Sequence, residues 1–177
     1  MLGEALAYSE DRNPYFATLR YYFIRTFCFV DMPLDMVLRT FLGTFRIPGE
    51  AQAIDRIMDD LSVYVYETNP GPFLSAGALF SVLFSCLLLN TDLHNPGVKT
   101  RMTFDDFCRN NHGINDDHDL PVEYLRYLYD SIKNEEIKLL SSSTDMLDLS
   151  HWEEDINYRA NKVSQAVFMG GGPCRRR

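Results

Sequence analysis

Two short segments carry residue types and spacings that could do chemistry. The first is Phe45-Arg46-Ile47-Pro48-Gly49-Glu50-Ala51-Gln52. Pro48 and Gly49 interrupt one helical pattern, and Glu50 falls in the first turn of the next. An acid is favoured there by free backbone amides and the positive end of the helix dipole. The same placement also puts a carboxylate on a rigid elbow, where a partner's charges can meet it. The second segment is Phe84-Ser85-Cys86-Leu87-Leu88-Leu89-Asn90-Thr91-Asp92-Leu93-His94-Asn95-Pro96. Here an apolar helix runs straight into a polar cluster. Asn90 and Asn95 suit the task of satisfying loose backbone groups at a turn. His94 taken alone suits a hydrogen-bonded structural histidine.

Other chemistries are poorly supported. Asp59 with Asp60, or Asp105 with Asp106, would supply paired carboxylates, but adjacent residues on a helix point apart. Asn115, Asp116, Asp117 and Asp119 suggest a calcium loop. It fails because Leu120 stands at the glycine position and Arg126 at the bidentate-acid position. No GxSxG, GxxxxGK[ST] or HExxH motif occurs. The four cysteines, Cys28, Cys86, Cys108 and Cys174, form no CxxC or zinc spacing. No metal and no cofactor is expected. Cys28 and Cys86 lie in apolar segments, which suits buried, reduced thiols in a cytosolic protein. The net charge of −8, from 17 basic and 25 acidic residues, argues against a nucleic-acid partner. It argues equally against a strongly polybasic membrane face.

The elements that must position these segments read as helices. At 177 residues and 46% hydrophobic, the chain can bury one proper core. Leu34, Val37, Leu38, Phe41, Leu42 and Phe45 follow the helical period, as do Ile54, Ile57, Met58, Leu61 and Val65. Leu125, Leu128, Tyr129 and Ile132 repeat it. Asp31 with Pro33, and Asp119 with Pro121, read as caps and first-turn prolines. Ile47-Pro48-Gly49, Asn69-Pro70-Gly71-Pro72 and Asn95-Pro96-Gly97 are breakers. The alternating Val63 to Tyr66 could be a strand, but it continues a helical stripe. Tyr15, Leu19, Tyr22, Phe23 and Phe27, widened by Tyr21, Ile24 and Phe29, predict a helix apolar on most sides. The reading is an all-α domain over residues 1–140. Beyond it, residues 141–177 are expected to hold a Ser/Thr linker, a further helix within 147–168 anchored by Trp152, and a disordered end. Met1 to Glu10 lacks the basic cluster of a signal peptide. The longest apolar run, Ala78 to Leu89, is too short to span a bilayer, so no transmembrane segment is expected.

The two motif segments together closely resemble the signature motifs of the Sec-seven domain, the exchange module for Arf-family GTPases. Leu2-Gly3-Glu4 is similar to the family's early "YLGE" helix, and Phe41 to Met58 reads almost as family consensus. Asn110, Gly113, Ile114, Asn115, Asp119, Leu120 and Pro121 resemble its "N-x-x-GIN…DLP" turn, and Leu128 to Ile132 its final helix. The resemblance covers residues 1–140. The family has further helices before "YLGE", so residues 1–140 correspond to about the C-terminal two-thirds of the domain, truncated at the N-terminus. Gly77 stands where the family usually has an aspartate. Leu149-Ser150-His151-Trp152 resembles the segment that follows the domain in large Golgi-type members.

The resemblance implies a right-handed stack of helices with a hydrophobic groove. It implies a guanine-nucleotide exchange factor that promotes GDP release from an Arf-family GTPase in vesicle trafficking, without covalent chemistry. Glu50 becomes the catalytic "glutamic finger". GTPase binding falls to Phe45, Arg46, Ile47, Pro48, Gly49, Gln52, Phe80, Phe84, Leu87, Leu88, Asn90, Thr91, Asp92, His94, Asn95 and Met102, with Asn90, Asp92, His94 and Asn95 forming a polar lip. The partner is expected in both GDP-bound and nucleotide-free forms. The location is expected to be cytoplasmic, peripheral on Golgi or endosomal membranes through other regions or partners. Ser85, Asp92 and Met102 match the pattern of members sensitive to brefeldin A, while Phe84 matches the resistant pattern. A rival reading is a helical adaptor that binds a GTPase without exchanging its nucleotide.

Overall fold

The computed structural model describes residues 2–7, 14–46 and 51–139. The motif residues Ile47, Pro48, Gly49 and Glu50 lie outside the described residues, as does the whole expectation for residues 141–177. The chain divides into two units, Met1–Met146 and Leu147–Arg177, and all described residues belong to the first. Among them seven helices occur and no strand: α1 Leu2–Ala7, α2 Pro14–Ile24, α3 Leu34–Leu42, α4 Ala51–Thr68, α5 Ala76–His94, α6 Phe104–Asn110 and α7 Val122–Asn134. The alternating Val63 to Tyr66 is helical, inside α4.

The periodic stripes are the core. Leu34, Val37, Leu38, Phe41, Leu42 and Phe45 are buried, as are Ile54, Ile57, Met58, Leu61 and Val65. So are Leu125, Leu128, Tyr129 and Ile132 on α7. The central element is α5, which packs on α3, α4, α6 and α7. Its 19 residues make it long and apolar enough to cross a membrane, longer than the apolar run alone suggested. Packing against four other helices accounts for the apolar residues on its inward sides, while half of the span is not fully buried. It starts at Ser75, whose side chain accepts from the Ala78 N–H at 3.1 Å, a cap contributing about 1 kcal/mol.

Three sequence expectations are corrected. Asp31 does not cap α3: it adopts a left-handed backbone (φ 56°), and Pro33 holds the cap position with no side-chain bond. Asp119 does not cap α7, where Pro121 holds that position. Its Oδ1 instead accepts from the Gly113 N–H at 2.8 Å, closing the turn before the helix. Cys28 is exposed while Cys86 is buried; burial pushes the Cys86 thiol far above its ordinary value, so it stays protonated. On α2 the predicted stripe is only partly covered. Ile24 is buried, Leu19 and Phe23 half-buried, and Tyr15, Tyr21 and Tyr22 exposed.

Long polar side chains pin the helices that frame the site. Arg39 on α3 donates to the carbonyls of Ser131, Glu135 and Glu136 at 3.3, 2.7 and 2.8 Å. Buried Asp35 accepts from the Tyr127 and Ser131 hydroxyls at 2.9 and 2.6 Å. Together they fix α7 against α3, and Arg39 satisfies the Glu135 and Glu136 carbonyls just past the helix end, while the Ser131 carbonyl also accepts the Glu135 N–H at 3.0 Å. Asn115 fastens the loop before α5, accepting from the Leu74 N–H at 2.7 Å and donating to the Pro72 carbonyl at 3.1 Å.

Candidate functional site

The described part of the site is one partly covered flank of α5 and the loop that follows it. Phe80 and Leu88 are half-buried, Phe84 and Leu87 nearly covered, and the Phe80 and Phe84 rings meet at 4.8 Å. Spacings of three and four residues put these four side chains along one face. Thr91, one turn on from Leu87, is half-buried and its hydroxyl donates to the Leu87 carbonyl at 3.1 Å. The apolar strip thus ends in a polar turn.

That turn is built by reciprocal bonds. The Asp92 carboxylate accepts from the Met102 N–H at 2.5 Å. Arg101 donates back to the carbonyls of Asp92 and Asn95. The Met102 carbonyl accepts from the Tyr129 hydroxyl at 2.8 Å. Both backbone polar groups of Met102 are therefore held, and the residue is half-buried, its sulfur 3.9 Å from Asn110 Nδ2. Asn95 Oδ1 accepts from the Gly97 N–H at 2.8 Å, closing an Asx turn. His94 Nε2 lies 2.7 Å from the Ile132 carbonyl, so that nitrogen carries the proton.

Asn90 differs from the expected lip. It is buried, accepts from the Ile137 N–H at 2.7 Å and donates to the Ile137 carbonyl at 3.2 Å. Its amide is turned away from solvent and fastens the chain beyond α7. Phe45, at the end of the preceding motif half, is also buried, its ring 5.1 Å from Phe41 and 5.9 Å from Phe23. Arg46 and Gln52 are exposed on either side of residues 47–50. Ser85 faces α6, where its hydroxyl accepts from Asn111 Nδ2 at 2.8 Å. The clamp residues Arg101, Asn111 and Tyr129 carry no site signal in the sequence. In the sequence Tyr129 is a member of the α7 stripe, and nothing in the spacing of Arg101 or Asn111 marks them. Among the described residues no group of His, Cys, Asp and Glu is arranged to hold a metal ion.

Comparison with known proteins identifies the family and the fold. The chain is 45% identical over 139 residues to the brefeldin A-inhibited guanine nucleotide-exchange protein 3 of Arabidopsis thaliana, a match covering 78% of this chain and 8% of that protein. The catalytic domain of Sec7p superposes with a TM-score of 0.70 at 36% identity, covering 76% of this chain and 70% of the other. A Sec7 domain solved with bound ARF1-GDP and brefeldin A gives a TM-score of 0.65 at 39% identity, covering 72% of this chain and 65% of the other. The chain thus spans a small fraction of the plant relative's length, and the share it spans is the helical unit described above. The model of the Sec7 domain family matches residues 1–137, and the chain belongs to that family.

Proposed function

We propose that this chain is a guanine-nucleotide exchange factor for Arf-family small GTPases, acting in vesicle trafficking. The observation that carries the reading is the family match over residues 1–137, together with a structural relative held against ARF1-GDP. An exchange factor makes and breaks no covalent bond. It needs a surface that fits the open, nucleotide-poor GTPase better than the closed one. The strip from Phe80 to Leu88 offers apolar area to a mobile partner segment, and the clamped turn around Asp92, Asn95 and Met102 offers polar contacts already set in place. Such pre-set loops lower the ordering cost of binding.

Glu50 is assigned the finger role in this reading. Its carboxylate enters the partner's nucleotide site and opposes the β-phosphate and the Mg²⁺ ion bound there. Like charges about 4 Å apart at an effective dielectric of about 20 repel by about 4 kcal/mol. That corresponds to about three powers of ten in nucleotide affinity. The protein works in the cytoplasm, peripheral on Golgi or endosomal membranes, and meets its partner in GDP-bound and nucleotide-free forms.

The test is release of labelled GDP from a truncated Arf, with and without this chain. Wild type accelerates release. Glu50→Lys abolishes the acceleration while still binding the GTPase, because the groove is separate from the finger. Release by Glu50→Lys at the wild-type rate would remove the finger assignment. Binding by wild type with no acceleration would favour the adaptor reading.

A further inference from the structure

Past Met102 lies a shallow, open pocket of about 510 Å³, lined by the end of α5, the start of α6 and α7. Leu93, Met102, Phe104 and Tyr129 form its apolar part. Its charged wall is unusual for this chain. Arg126 and Lys133 both line it, opposed by Asp130, in a protein of net charge −8. The Arg126 guanidinium lies over the Phe104 ring, 3.2 Å from its centroid, and the Lys133 ammonium lies 5.8 Å from that of Tyr129. Aromatic faces hold cations in this way while leaving their N–H edges open. Among the described residues, neither cation meets a carboxylate. Lys133 gains something from the negative end of the helix dipole, being in the last turn of α7. Arg126 is in the second turn and gains nothing there. Arg101, also on the wall, adds positive field while its N–H groups serve the carbonyls of Asp92 and Asn95.

We propose that this pocket receives an acidic side chain of the GTPase partner, extending the α5 groove and helping to select which GTPases are accepted. The inference rests on the exchange reading given above. Two observations point to this occupant. Met102 lies on the pocket wall, its carbonyl held by Tyr129 and its N–H held by Asp92, which stands one helical turn beyond Leu88 at the end of the strip. A protein seated along Phe80 to Leu88 and touching Met102 therefore reaches the pocket rim. The charge is also complementary: Arg101, Arg126 and Lys133 outnumber Asp130 on this wall, and among the described residues neither Arg126 nor Lys133 meets a carboxylate, so an incoming anion meets net positive charge.

The experiment compares wild type, Arg126→Glu, Lys133→Glu, the double variant and Lys138→Glu. Lys138 is exposed and outside the pocket, so its reversal makes the same change in net charge elsewhere. GDP release from a soluble Arf without its membrane anchor is measured at low and high salt, without vesicles. Binding of each variant to the nucleotide-free GTPase is measured in parallel. The double variant should raise KM and Kd about tenfold at low salt, with kcat retained. The difference should shrink at about 1 M salt, where screening reaches about 3 Å. Lys133→Glu alone should give part of the effect, and it carries the comparison if Arg126→Glu, which also loses its place on Phe104, lowers the melting temperature. An unchanged KM and Kd in the double variant overturns the proposal, as does an equal effect from Lys138→Glu. An effect seen only after adding anionic vesicles overturns it in favour of a lipid phosphate. If wild type binds the GTPase but releases no GDP, the exchange reading fails while the Kd series still decides the pocket. If wild type does not bind at all, both fall.

Discussion

Asn90→Ala separates a structural motif residue from a contact residue. Asn90 sits in the middle of the second motif, where a partner-facing role is the first expectation. In the structure both ends of its amide are spent on Ile137, a residue 1% exposed. Alanine leaves the Ile137 N–H and carbonyl without partners and too buried for water to replace the amide. Each orphaned group costs about 1–3 kcal/mol, so the pair with some relaxation should cost about 3 kcal/mol. In a folded unit of this size that lowers Tm by about 10 °C. Urea unfolding should show a lower midpoint with an unchanged slope, since the surface exposed on unfolding is nearly the same. GDP release, measured well below the lowered Tm, should keep its wild-type KM and kcat. A midpoint equal to wild type combined with a large rise in KM would refute the reasoning, and would return Asn90 to the partner surface.

Two further outcomes concern the outer face of α5. Leu88→Ala should weaken GTPase binding by about 2 kcal/mol, or about thirtyfold, and change stability less, because Leu88 is only half-buried; surface plasmon resonance with a silent alanine variant and a steep salt dependence would count against an apolar groove. Phe84→Tyr should strengthen inhibition of exchange by brefeldin A, since it supplies the one hydroxyl missing from the sensitive pattern beside Ser85, Asp92 and Met102. A dose–response curve that does not move would remove Phe84 from that role.

The helices were legible because their stripes are narrow. On α3, α4 and α7 the apolar residues recur on one face, and those same residues are the buried ones. Capping was less legible. Asp31 and Asp119 have the right residue type near the right prolines, yet Asp31 takes the left-handed backbone and Asp119 serves Gly113. An acid near a helix start has several local donors to choose from, and sequence does not rank them. Cys28 misled for a related reason. Its neighbours Phe27 and Phe29 are apolar, but between helices the chain follows no period, so burial cannot be inherited from adjacent residues.

The site divides along a boundary that periodicity cannot see. Helix α5 is apolar almost throughout, so hydrophobic spacing alone does not say which side faces a partner. Packing makes the distinction: Leu79, Val82, Leu83, Cys86 and Leu89 are buried inward, while Phe80 and Leu88 keep part of their surface. The polar end divides in the same way. Asn90 and His94 turn to the backbone at Ile137 and Ile132, whereas Asp92 and Asn95 organise the outer loop. Thirteen consecutive motif letters therefore contain two tasks. One holds α5 to the chain at α7, and the other presents Met102 from a loop fixed at both its N–H and its carbonyl. The second task depends on the first, because Tyr129, which holds the Met102 carbonyl, lies on the helix that Arg39 and Asp35 anchor from α3. Under the exchange reading proposed above, a substitution in α3 would therefore loosen the contact assigned to Met102 without touching the GTPase.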